Sequence, residues 1–315
     1  MSEEVLQSKT KRHANFRLRY VSSFATELLE IQADEPTFHV LFIPGNPGVV
    51  TFYIDFMESL FELLGGRVSV TVVGHISHTK QNWEHGMLFS LQEQIDHKVE
   101  FIKQEFPNNE VPIILVGHSI GGYICIETFK RIPEKVFYCV GLYPFLAVNP
   151  QSREQFFLQK ISKSSTFSVA LSSMVGLLGL LPISVKRFVV SKALGKSWSS
   201  NAVEAVCSHL AKYHTMRNIL FLVHTEFEKL AEMPDWEFMR DKKEKIAFLF
   251  GSDDHWGPLQ FYEEISRQVP GIALSIERKG QGHYFCCFED CSYWVAHHVA
   301  TLINNQISRS RSSSL

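Results

Sequence analysis

The segment Ile113-Ile114-Leu115-Val116-Gly117-His118-Ser119-Ile120-Gly121-Gly122 constrains this chain more than any other. A short apolar run of this kind reads as a buried strand, and the residues after Gly121 open a helix. A serine between the two, with glycine two positions before and two after, marks a sharp strand-to-helix turn that presents its hydroxyl at the end of a sheet. The glycines are required because a side chain at either position would collide with neighbouring backbone. G-x-S-x-G alone recurs by chance; its placement between strand and helix gives it weight.

A serine hydroxyl attacks poorly until a base takes its proton, so the turn demands a histidine and an orienting carboxylate further along, in the order Ser, Asp, His. Gly251-Ser252-Asp253-Asp254-His255-Trp256-Gly257-Pro258 follows the apolar run Ile246 to Phe250. That places carboxylates at the C-terminal end of a strand, the edge where open α/β sheets keep their sites. Asp253 and Asp254 are neighbours, and side-chain direction alone leaves both open. The stretch resembles the α/β-hydrolase pattern G-x-x-D-x-x-x-P, which selects Asp254. The competing role for both is to cap the following helix. Among fourteen histidines, His283 stands apart, because Gly280-Gln281-Gly282-His283 lies between the apolar run Ile272 to Ile276 and a closing helical stretch, Phe288 to Ile303. A base can reach the serine from that loop. His118 reads as filler of the turn and His255 as a loop neighbour of the acid.

The tetrahedral intermediate of acyl transfer needs two backbone donors where its oxyanion develops. Ile120 N–H is one. Pro44-Gly45-Asn46-Pro47-Gly48 follows the early run His39 to Ile43 and offers the second, from Asn46 because proline has no N–H. A plain tight turn has the same composition. The pairing with the serine turn favours the donor role.

Apolar runs at His39 to Ile43, Val68 to Val73, Ile113 to Val116 and Val136 to Leu142 alternate with amphipathic stretches, the pattern of a parallel sheet with crossover helices. One crossover is explicit: Leu91, Ile95, Val99, Ile102 and Phe106 recur at helical spacing, and Ser90 with Glu93 forms a capping box. About a hundred residues then pass without a clear strand before Ile246 to Phe250 and Ile272 to Ile276 resume the pattern. The fold class is α/β: an α/β-hydrolase fold with a mostly parallel central sheet, helices on both faces and a helical cap insertion. Residues 1–144 and 241–307 form the core, 145–240 the cap, and 308–315 a disordered tail rich in serine and arginine.

With 315 residues, 45% of them hydrophobic and 20% charged, the chain can bury one large core. A formal net charge of -2 without a basic cluster argues against nucleic acid as a partner. Met1 to His13 lacks the apolar stretch of a secretory signal, so a cytosolic start is expected. The six cysteines form no C-x-x-C pair and read as reduced, buried thiols. Cys286, Cys287 and Cys291 with His283 match no zinc spacing. No metal and no cofactor are implied.

With these motifs placed, the chain resembles the lipid droplet-associated hydrolase family of animals over nearly its whole length. Phe38 to Tyr53, Val111 to Tyr123 and Phe248 to Pro258 carry the resemblance most specifically, and Ser119, Asp254 and His283 fall on that family's triad positions. The resemblance implies the α/β-hydrolase fold, a location at lipid droplets and the endoplasmic reticulum, and action on neutral lipid esters such as cholesteryl ester or acylglycerol.

Within the cap, Thr166 to Val185 carries no charge and is flanked by Lys160 and Lys163 on one side and Lys186 and Arg187 on the other. A span needs about 20 apolar residues, and the serines and Pro182 here argue against a simple one. Phe167, Leu171, Met174, Leu178 and Leu181 share one helical face; Ser165, Ser168, Ser172, Gly176 and Gly179 form a small-residue stripe nearly opposite. One face then enters a lipid surface, over about 166–190, while the other packs on a partner helix. Basic residues at both ends keep both ends on the cytosolic side, as a hairpin or in-plane helix requires. The alternative is a cap helix lining an acyl pocket in water.

These features predict a monolayer-bound serine ester hydrolase at the lipid droplet surface and the cytosolic face of the endoplasmic reticulum, acting on neutral lipid esters through an acyl-enzyme at Ser119. Two other functions share the same sequence features. One is a catalytically weak hydrolase-fold protein that binds lipid or a partner at droplets. The other is a thioesterase or peptidase using the same triad. No feature fixes the oligomeric state.

Overall fold

The computed structural model describes residues 12–312, except 82–83, 109, 195–196 and 281. The N-terminal reading of Met1 to His13 therefore lies almost wholly outside the described residues. Eight strands form one sheet: β1 (Asn15–Val21), β2 (Phe24–Ile31), β3 (Phe38–Ile43), β4 (Val68–Val73), β5 (Ile113–His118), β6 (Val136–Leu142), β7 (Ile246–Gly251) and β8 (Ala273–Glu277), in the order β1-β2-β4-β3-β5-β6-β7-β8. β2 pairs antiparallel with β1 and β4; the other pairings are parallel.

Helices cover both faces, so the central strands bury both sets of alternating side chains. Val40 and Phe42 of β3 and Ile114 and Val116 of β5 pack in one core with α1 (Ile54–Leu63). Leu41, Ile43, Ile113 and Leu115 face the opposite core, with α2 (Leu91–Glu105) and α3 (Ile120–Arg131). α2 starts at the capping box expected of it, the Ser90 hydroxyl accepting from Glu93 N–H and the Glu93 carboxylate accepting from Ser90 N–H.

Between β6 and β7 lie α4 (Arg153–Lys163), α5 (Ser165–Gly179), α6 (Ile183–Leu194), α7 (Ser200–Ala205), a π-helical turn Val206–Leu210, α8 (Tyr213–Lys229) and α9 (Trp236–Asp241). α9 ends at Asp241, and its Trp236 and Met239 sit in the same core as Phe129 and Ile265. This short helix, capped by Asp235, packs on α3 and on α10 (Leu259–Gln268), and Leu222 and Phe227 of α8 join the same core.

Two features depart from the sequence reading. β1 and β2 were not anticipated: their connection is a two-residue turn in which Ser22 and Ser23 both take positive φ, 49° and 74°, where Asn-Gly is the usual signature. β1 is an edge strand whose Arg17 and Arg19 pair with Glu30 and Glu105, so it lacks a buried apolar run. The tail expected to be disordered from Ser308 instead continues α11 (Glu289–Ser312), with residues 313–315 outside the described residues. The Ser308, Ser310 and Ser312 hydroxyls donate to carbonyls of the preceding turn, and Arg309 and Arg311 complement the negative end of the helix.

Leu115, fully buried on the central strand that carries the serine turn, tests this architecture. Leu115→Ala lowers the unfolding free energy by about 2–5 kcal/mol, read as a fall in the urea midpoint at unchanged slope.

Candidate active site

The turn that ends β5 is forced by backbone crowding. A Cβ on Gly117 would lie 2.2 Å from the Gly121 carbonyl oxygen, and one on Gly121 would lie 2.2 Å from the Ile43 carbonyl oxygen. Ser119 between them takes φ 55° and ψ -124°, outside the favoured regions for a side-chain-bearing residue. Its backbone is pinned on both sides: Ser119 N–H donates to Leu142 O, and Ser119 O accepts from Gly122 N–H and Phe145 N–H. The hydroxyl stands at the C-terminal edge of the sheet. Ile120 opens α3, so its N–H has no helical carbonyl one turn before it.

His283 reaches this hydroxyl from the loop after β8, with Nε2 2.9 Å from Ser119 Oγ. Its Nδ1 lies 2.9 Å from Asp254 Oδ2. Asp254 is buried and its second oxygen accepts from Trp256 N–H at 2.9 Å, whereas neighbouring Asp253 is exposed. The geometry separates the two aspartates that side-chain direction in the sequence left open. With Nδ1–H donating to Asp254, Nε2 is left as the acceptor facing the serine hydroxyl. That is the tautomer a general base needs.

A second chain of hydrogen bonds runs behind the first. Gly45 N–H donates to Tyr53 Oη (3.1 Å), Tyr53 Oη donates to His118 Nδ1 (2.8 Å), and His118 Nε2–H donates to the His283 carbonyl (2.9 Å). Each direction follows from the last, because a carbonyl can only accept. Burial, and the proximity of His283, hold the His118 imidazole well below its ordinary range, and burial raises the Tyr53 phenol. Both groups therefore stay neutral, as the chain requires. The sequence offered His118 only as filler; the signal that it is more lies in Tyr53, 65 positions away.

The loop 44–48 lies beside the serine, a Cβ on Gly45 falling 3.0 Å from Ser119 Cβ. Behind the loop, Gly48 N–H donates to His78 Nδ1 (2.8 Å) and Gly48 O accepts from His75 N–H (3.0 Å). Burial lowers His78 to about 3, so it remains the neutral acceptor. The Asn46 side chain turns towards the cap, donating to Ile219 O and to Glu226 Oε1, both at 3.1 Å.

A cleft of about 490 Å³ opens at His283 and is lined by Asp254, Trp256, Tyr284, Leu158 and Phe157. Phe157 also lines a groove of about 550 Å³ on the outer side, with Ile161, Phe167, Ala170, Leu171 and Met174. The stripe opposite this face behaves as its composition requires: Ser168 and Ser172 are buried, a Cβ on Gly176 would meet Tyr213, and one on Gly179 would meet Ala211 O, so α5 packs closely on α8 and the segment before it. Ser165 of that stripe is exposed. Phe167 is 67% exposed, Met174 56%, Leu178 53% and Leu181 38%, with Leu171 half-buried in the groove. Leu177, Leu180 and Phe188 extend the exposed apolar surface over α5, the following turn and α6. Among the described residues no helix is long and apolar enough to cross a membrane.

A family model described as lipid-droplet associated hydrolase matches residues 36–286. The chain belongs to that family. Relatives bearing the name lipid droplet-associated hydrolase include one from Gallus gallus, 29% identical over 263 residues that cover 79% of this chain and 80% of the relative. Another, from Rattus norvegicus, is 27% identical over 300 residues and covers 90% of each chain. Among solved structures, a haloalkane dehalogenase from Bradyrhizobium elkani superposes with a TM-score of 0.70 at 17% identity, covering 94% of this chain and 99% of its own. An epoxide hydrolase from Vigna radiata gives 0.65 at 15%, covering 94% and 100%. These structural likenesses show the α/β-hydrolase fold. The chain is thus a member of a hydrolase family on that fold.

Tyr53→Phe removes the hydroxyl that links Gly45 N–H to His118, leaving two buried groups without a partner. Each costs about 1–3 kcal/mol, and urea unfolding of the variant reads the sum.

Proposed function

We propose that the protein is a serine ester hydrolase that acts on neutral lipid esters, such as cholesteryl ester or acylglycerol, at the surface of lipid droplets and the cytosolic face of the endoplasmic reticulum. The observation that carries the chemistry is the continuous chain Ser119 Oγ, His283 Nε2, His283 Nδ1, Asp254 Oδ2, with both links at 2.9 Å. Ser119 Oγ attacks the ester carbonyl as His283 Nε2 takes its proton. The oxyanion of the tetrahedral intermediate accepts from the N–H groups of Ile120 and Asn46. Its collapse breaks the ester bond, and the leaving alcohol departs with the proton from His283. Water, deprotonated by the same imidazole, then attacks the acyl-Ser119, and a second collapse releases the carboxylic acid and returns the proton to Ser119. Asp254 holds the imidazole in its tautomer and offsets the charge it gains.

The apolar character of the substrate is supported by the surface around the cleft. Phe157 lines both the cleft at His283 and the groove bordered by Phe167, Leu171 and Met174, so the exposed apolar face of α5 adjoins the mouth of the cleft. An exposed apolar face rimmed by Lys160, Lys163, Lys186 and Arg187 suits a phospholipid monolayer over neutral oil. The droplet location is also supported by the names of the family and its relatives.

A fluorophosphonate serine probe labels the intact protein, and Ser119→Ala or His283→Ala abolishes labelling. Asp254→Asn lowers the labelling rate by about a thousandfold or more through loss of the correct tautomer, while Asp253→Asn leaves it within about threefold. Replacing Phe167, Met174 and Leu178 together by serine lowers binding to phospholipid-coated triolein droplets at least tenfold in flotation. Burying each side chain is worth about 1.5–3 kcal/mol when complete.

A further inference from the structure

Glu226 lies on the buried side of α8, only 3% exposed, and its carboxyl meets the Asn46 side chain, 180 residues away in the chain. The same Asn46 nitrogen donates to Ile219 O, also on α8. One side chain of the loop beside Ser119 is therefore clamped twice to a single cap helix. We propose that Glu226 is a positioning residue for the oxyanion loop, its carboxyl reaching from the cap to the Asn46 amide and so fixing the Asn46 N–H for the reaction at Ser119. This inference rests on the reading of Ser119 as nucleophile and Asn46 as donor.

The clamp has a preferred protonation state. Burial pushes the Glu226 carboxyl up to about 8, and the Asn46 amide opposes this only in part. Burial and the Asn46 amide are what act on it, and Lys98 of α2, the buried cation of the neighbouring helix, lies against His97. α5 carries no ionisable side chain, and the neighbours His224 and Glu228 on α8 pair with each other while Lys229 pairs with Glu232. Glu93 at the start of α2 is taken by Ser90, Glu154 on α4 by Ser152, and His209 of the π-helical turn by Glu27. His118, at the serine turn, bonds Tyr53 and the His283 carbonyl, and His283 bonds Ser119 and Asp254. At neutral pH the group is therefore an uncharged acid. Once ionised, it sets a negative charge one hydrogen bond behind the loop that must receive another negative charge, and the oxyanion is destabilised in proportion.

The test is the pH dependence of the fluorophosphonate labelling rate between pH 6 and pH 9.5 for the intact protein, Glu226→Gln and Asn46→Ala. A single ionisation at about 8 makes the intact protein's rate fall about tenfold between pH 7 and pH 9. In Glu226→Gln that alkaline limb disappears. Asn46→Ala keeps the backbone donor but removes the amide that favours the ionised carboxyl, and its limb moves to higher pH; this reading stands even where Glu226→Gln fails to fold. The proposal is overturned by an intact protein without an alkaline limb, or by a limb at the same pH in the intact protein and both variants. Absence of Ser119-dependent labelling at every pH overturns the nucleophile assignment and this inference with it, which separates the two failures.

Discussion

The site depends on a close approach of backbone to backbone. β3 and β5 are parallel neighbours, and the turns that leave their C-terminal ends meet where Gly121 lies against the carbonyls of Ile43 and Pro44. A side chain at Gly121 is excluded by those carbonyls, and one at Gly45 would press on Ser119 and His118, so the loop 44–48 and the serine turn can approach this closely only through glycine. That contact sets how the Ser119 hydroxyl stands relative to the loop after β3. The strained backbone of Ser119 is held by three hydrogen bonds on its own peptide groups, to Leu142, Gly122 and Phe145. Strain that is over-determined by its surroundings persists without loosening the site.

Two polar chains radiate from this junction. One is the Asp254–His283–Ser119 line, and the other ties Gly45, Tyr53, His118 and the main chain of His283. The second joins the loop after β3 to the loop after β8. Buried neutral groups are suited to this work, since a charge at His118 would compete with the imidazole beside it.

The core strands were legible because they are buried on both faces. Val68 to Val73, interrupted only by the small residues Ser69 and Thr71, and Val136 to Leu142 read as strands, and the structure begins and ends them at the same residues. Ser119 and His283 were legible by order and by neighbouring glycines, and the Ser90 box by its side-chain chemistry. β1 was hidden because Phe16, Leu18 and Tyr20 alternate with arginines on an exposed edge and the Ser22-Ser23 turn uses residues without a turn signature. Glu226 was hidden for a different reason. A glutamate in an amphipathic helix is ordinarily solvated, and only the folded chain shows that this one faces inward to a residue in another element. Long-range pairs of single polar residues leave no periodicity to read.

The outward face of α5 and α6 lies opposite the small residues that let α5 lie close on its supports. Phe167, Leu177, Leu178, Leu180 and Phe188 are exposed, while Ser168, Ser172, Gly176 and Gly179 fix the helix from the other side. Such a surface answers to selection through its hydropathy and not through its individual identities. One apolar residue can replace another on that outward face without touching the inner stripe, where each position is held by a close contact. The two sides of α5 are in that sense under different constraints: shape on the inner side, hydropathy on the outer.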